Sequence, residues 1–168
     1  MGLIFEDVYY FFKDSMGYDI TFLNSQNVGN NKYDIFIDNL PTNYFAITYT
    51  TSFINQASTS CGSYIKMRNN YNGAAFQNIT ELENIKITAA HEFFHAIHGT
   101  YDWFDNLWIS EGLAVTFEYM ITNSNLSEFF FIPCLLEKRY LSLSYNGCFM
   151  GSRPVTEYKE WAKRRLLL

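Results

Sequence analysis

Hydrophobic positions recur with two different periods along this chain, and the change near residue 80 separates two kinds of structure. Phe5, Val8, Tyr9 and Phe12 fall at helical spacing and Gly17 follows as a C-terminal cap, so residues 4 to 15 are predicted to be a helix. Three runs rich in β-branched and aromatic residues come next: Tyr33 to Ile37, Tyr44 to Thr50, and Tyr64 to Arg68. Asn, Pro, Ser and Gly separate them, and a small sheet is expected. At Thr80-Glu81-Leu82-Glu83 the helical period returns in the form of a capping box, opening a helix that should reach about Ile97. A second helix, starting near Asp105 or Asn106 and ending near Asn123, gathers Leu107, Glu111, Ala114, Val115 and Glu118 on one broad face. Ser127 caps a third, interrupted near Pro133 and continuing to about Leu141. Sheet first and helices after is the order of an α+β domain.

Composition narrows the partners. A chain of 168 residues without repeats, low-complexity tracts or linkers fits one domain over residues 1–168, long enough to bury a core. Its 48% hydrophobic and 19% aromatic content excludes a disordered chain. A net charge of -5 offers no field for a polyanion, so no nucleic-acid partner is expected. The basic cluster Lys163-Arg164-Arg165 reads as a solvated helix end. Phe129 to Leu136 is the most apolar run, but it is short and contains Pro133, so no membrane insertion is expected. Met1 to Asp7 lack the basic start and long apolar stretch of a signal peptide. Cys61, Cys134 and Cys148 are too few for a disulfide framework; one bridge between Cys134 and Cys148, or buried free thiols, are the alternatives.

The candidate chemistry lies in His91-Glu92-Phe93-Phe94-His95. Histidines four apart on a helix project from one face and can share one metal ion, while Glu92 stands beside them, where a general base can reach a metal-activated water. The five-residue pattern alone is only moderately specific, since it arises by chance in on the order of one in a few hundred chains this long. A third ligand therefore carries weight, and three candidates follow. His98 is one turn too far along the axis unless the helix breaks at Gly99. Asp102 stands in Gly99-Thr100-Tyr101-Asp102. Glu111 comes sixteen residues after His95, room for a loop and an antiparallel second helix, and would complete a His₂Glu site with one open position.

Thr88-Ala89-Ala90-His91-Glu92-Phe93-Phe94-His95 followed by Leu107-Trp108-Ile109-Ser110-Glu111-Gly112-Leu113-Ala114 resembles the gluzincin zinc peptidases, whose ligands are two histidines and a glutamate on the next helix. The Trp-x-x-Glu-Gly-x-Ala portion is similar to the M1-family aminopeptidases. A closer likeness, over roughly residues 33 to 123, is to secreted bacterial metallopeptidases. The resemblance implies a zincin-like fold, bound Zn²⁺, peptide or protein substrates, a secreted or extracellular setting, and His91, His95 and Glu111 as the metal ligands. At 168 residues the chain is short for such an enzyme with a complete cleft, which leaves a truncated C-terminus open.

The likeness has departures. Thermolysin-like enzymes place an aspartate where this chain has Val115, so Glu118, or else Asp102, is left to support a ligand histidine. The Gly-x-Met-Glu-Asn strand of M1 aminopeptidases is missing, its nearest counterpart being Gly73 to Asn78, and this disfavours aminopeptidase action. Gluzincins also use a Tyr or His to stabilise the oxyanion, for which Tyr101 is the first candidate and His98 the next. Tyr64 to Arg68 occupies the place in chain order of their substrate-binding edge strand. The expected function is a zinc-dependent endopeptidase with Glu92 as general base. The alternatives are a catalytically inactive zinc-bearing module that binds peptides or protein partners, and a structural domain with incidental histidines. Nothing in the sequence sets the oligomeric state.

Overall fold

The computed structural model describes residues 1–20, 32–41, 44–53, 59–71, 79–105 and 107–123. Their order is α1 (Gly2–Tyr10), β1 (Ile35–Asp38), β2 (Ala46–Phe53), β3 (Cys61–Arg68), α2 (Glu81–Tyr101) and α3 (Leu107–Thr122), the expected α+β arrangement of a small sheet followed by helices. The helix capped at Ser127, the Cys134–Cys148 alternative, the string at Gly73 to Asn78 and the basic cluster at 163–165 lie outside the described residues.

The first helix extends to Ser15 as anticipated, but its last turn, Phe11–Ser15, is π-helical. Gly17, at φ +72°, then reverses the chain, and the Tyr18 N–H donates back to the Phe12 carbonyl. At the other boundary the capping box forms in full: the Glu83 N–H donates to Thr80 Oγ1 and the Thr80 N–H to Glu83 Oε2, at 3.2 and 2.9 Å. The second helix runs four residues beyond its predicted end. Gly99 does not stop it, because that glycine serves close packing: a Cβ there would stand 2.8 Å from Trp103 Cε3 and 3.3 Å from Cys61 Sγ.

β3 is the central strand, parallel to β1 and antiparallel to β2. Its segment Tyr64 to Arg68 is therefore not the edge that chain order suggested. Among the described residues the antiparallel edge is β2, and its register turns a definite set of groups away from β3. The Arg68 N–H donates to the Phe45 carbonyl, while the Ile65 N–H donates away from β2, to Asp34 O. Pairs 45/68, 47/66 and 49/64 are thus the hydrogen-bonded ones, and the backbone groups of Ala46, Thr48 and Thr50 face outward from β3. Arg68, buried, fastens the approach to β2 by donating to the carbonyls of Pro41, Tyr44 and Asn70.

α2 lies at the centre of the core, with α1, α3 and the sheet packed around it. Phe93 points toward α1 and Tyr33, with ring centroids 6.1 Å from Phe12 and 5.5 Å from Tyr33. Phe94 stacks on Phe117 of α3 at 4.8 Å, and the fully buried Phe12 joins both sides, 4.8 Å from Phe117. The two phenylalanines inside the His-Glu-x-x-His pattern thus anchor the helix, and the rotation that buries them leaves His91, Glu92 and His95 to line the cleft behind β2.

Candidate metal centre and cleft

His91, His95 and Glu111 converge, each offering one ligand atom within 4.8 Å of the others. His91 Nε2 is 2.9 Å from His95 Nε2 and 3.2 Å from Glu111 Oε2, and His95 Nε2 is 3.3 Å from Glu111 Oε1. The two imidazole nitrogens and the Glu111 carboxylate would hold one divalent ion between them, the donor set of a His₂Glu zinc site. The far side of each ring is fixed too. His91 Nδ1 lies 2.7 Å from Glu118 Oε1 and His95 Nδ1 lies 3.0 Å from Ser110 Oγ. With the proton of His91 on Nδ1, facing a carboxylate, its Nε2 presents a lone pair to the centre. Glu111 Oε2 is buried there without a hydrogen bond. Once the His91 Nε2 proton has left, nitrogen lone pairs and a buried carboxylate oxygen face one another there, which fits a divalent cation.

Without a metal, a proton takes the place of the cation. Burial is the largest influence on His91 and favours its neutral form, yet Glu111 and Glu118 together outweigh it and hold the imidazolium pKa up at about 10. Glu111 is the mirror image: burial raises its pKa, and the two histidines prevail and bring it far below the usual carboxylate range. The centre is thus built to retain positive charge.

These groups floor a cleft of about 310 Å³, walled by Tyr44 to Thr48 on one side and by His98, Gly99, Asp102, Trp103 and Asp105 on the other. Glu92 lines it, 9% exposed, with Thr48 Oγ1 donating to its Oε2 at 2.8 Å. Among the rival ligands, Asp102 caps α2 and accepts the Phe104 N–H at 2.9 Å, and His98 stacks on Phe94 with its Nε2 3.3 Å from Asp105. Burial, only partly offset by Asp105, lowers the His98 pKa. Neither joins the ligand group.

Tyr101 is not brought to the cleft. The sequence placed it in a loop between ligand segments, but the helix continues through it and carries it six residues beyond His95, about 240° around the axis. Its side chain is exposed and its phenol oxygen accepts the Asp19 N–H at 3.3 Å. Ser110 and Thr48 were missed. Ser110 lies inside a recognised motif but has no ligand signature of its own, and Thr48 sits in a threonine-rich strand with no local sign that it meets a helix 44 residues on.

No family model matches the chain, and no solved structure does. It is 30% identical over 77 residues to aminopeptidase A of Gloydius brevicauda and to glutamyl aminopeptidase of Bitis rhinoceros, and over 76 residues to glutamyl aminopeptidase of Rattus norvegicus. Each match covers 44% of this chain and only 8% of the relative's length. The chain is thus distantly related, over less than half its length, to aminopeptidases.

Proposed function

We propose that this chain is a zinc-dependent peptidase of the gluzincin type, with His91, His95 and Glu111 as metal ligands and Glu92 as general base. The observation that carries this is the convergence of three ligand atoms, with Glu92 beside them, in a cleft behind an edge strand. The distant relation to aminopeptidases supports the same class. A zinc ion held there would supply an acidified water at neutral pH and an electrophile for the scissile carbonyl. Glu92 takes the proton of the attacking water and passes it to the leaving amine. Glu118 and Ser110 orient the two imidazoles. The outward-facing backbone groups of Ala46, Thr48 and Thr50 receive an extended peptide as an added strand.

Endopeptidase action is the form proposed. Its support is the edge strand, which continues past Thr48 to Phe53, so that an extended chain can run along it. The second candidate is a zinc-bearing module that binds peptides without cleaving them. Its motivation is the position of Tyr101, the first oxyanion candidate, outside the cleft, while His98, the next, lines the cleft with its Nε2 3.3 Å from Asp105.

Metal analysis of the purified protein with a casein-type assay tests both. Stoichiometric zinc, with turnover abolished in Glu92→Gln while the metal is retained, is expected. Protein purified without zinc, whose affinity for added zinc is unchanged by His91→Ala, refutes the zinc centre. Zinc-loaded protein without turnover favours the binding module.

A further inference from the structure

Glu92 is gripped from outside its own helix. The Thr48 hydroxyl lies 2.8 Å from Glu92 Oε2 and 3.0 Å from the Glu92 carbonyl oxygen. A threonine has one hydrogen to donate, and an ionised carboxylate is the stronger acceptor of the two. The contact joins helix α2 to strand β2, and it falls at a particular place on that strand. Thr48 is one of the residues whose backbone N–H and C=O face away from β3. Strand geometry sends its side chain to one face and its peptide groups to the edge. One residue therefore addresses Glu92 through its hydroxyl and any chain added to the edge through its backbone.

Building on the peptidase function proposed above, we propose that Thr48 is a positioning residue that registers the Glu92 carboxylate against the substrate-binding edge. Glutamate has several staggered side-chain rotamers, and one bond from the strand selects among them. Oε2 is committed to the strand, which leaves Oε1 to exchange the proton. A substrate strand lying along β2 then has its carbonyl set relative to the base by a single residue rather than by the independent positions of sheet and helix. Misplacement of about 1 Å costs on the order of 10²-fold in rate, so loss of this bond should be felt in turnover.

The test compares Thr48→Val, which keeps the branched shape a strand favours and removes the donor, with Thr48→Ser, which keeps the donor and removes the methyl. In the zinc-loaded full chain, Thr48→Val should lower kcat by about 10- to 100-fold with KM and zinc affinity within about twofold, and Thr48→Ser should restore most of the rate. A second readout does not need turnover. With glutamate labelled at Cδ with ¹³C, the Glu92 signal, identified by its loss in Glu92→Gln, should shift in Thr48→Val and return to its wild-type position in Thr48→Ser. An unchanged signal in Thr48→Val overturns the proposal, and so does a Thr48→Ser protein that behaves like Thr48→Val, since packing of the methyl would then be the cause. A signal that shifts and is rescued in a protein without turnover leaves the Thr48 contact standing and defeats the peptidase function instead.

Discussion

Replacing Glu118 by Gln separates the charge of the carboxylate behind His91 from its shape. Glu118 is 3% exposed, and its Oε1 lies 2.7 Å from His91 Nδ1. Glutamine keeps an oxygen there to accept the Nδ1–H, so the ring stays oriented, but the negative charge supporting the metal is gone. Replacing such a partner costs about 10- to 100-fold in metal affinity, or about 1.4 to 2.8 kcal/mol. The measured loss depends on pH, because Glu118 also stabilises the proton that competes with the metal at His91. Where that proton is present in the metal-free protein, near neutral pH, removing Glu118 weakens both competitors, and the loss should lie toward the tenfold end. Above about pH 10, where His91 has lost its proton, it should approach the larger figure. Glu118→Ala should cost more, since it also strands a buried N–H, a penalty of about 1–3 kcal/mol. Competition against a chromophoric zinc chelator reads the affinity, with circular dichroism establishing that the fold is intact. Zinc affinity equal to wild type in Glu118→Gln, at both neutral and alkaline pH, would refute the reasoning.

The raised His91 pKa sets a pH signature for the wild type. A proton held up to about pH 10 must leave before the metal binds, so apparent zinc affinity should rise by about tenfold per unit between pH 7 and 8.5. Isothermal titration at several pH values checks this, and a plateau above pH 7 contradicts it. Phe12→Ala removes a fully buried ring that joins Phe93, Phe94 and Phe117, and should destabilise the chain by about 3–5 kcal/mol in urea unfolding. A loss under about 1 kcal/mol would mean that the helices do not share this core. Gly99→Ala should lower the melting temperature although alanine favours a helix by about 1 kcal/mol, because its Cβ would strike the Trp103 ring. A raised melting temperature would show that Trp103 yields freely.

What the sequence determined by itself is what depends on neighbours along the chain. The reciprocal cap at Thr80 and Glu83 forms between residues three apart, and His91, Glu92 and His95 share a face because four residues make about one helical turn. Those spacings survive any tertiary arrangement that keeps the helix. Glu111 was legible at one remove, since its string and its distance from His95 allowed a return of the chain, and the structure brings it to the two histidines.

Tertiary structure decided the rest. Strand order follows pairing partners rather than chain order, so the edge beside the cleft is β2 and not the strand nearest in sequence to α2. Gly99 had two local meanings, a helix stop or a point of close approach, and only Trp103 and Cys61, brought in by the fold, choose the second. That choice prolonged α2 and carried Tyr101 away from the cleft. Ser110, Thr48 and Glu118 take their parts from the side chains placed opposite them, 15, 44 and 27 residues away. A hydroxyl or carboxylate has no role of its own until the packing of helix on helix and helix on sheet supplies its partner.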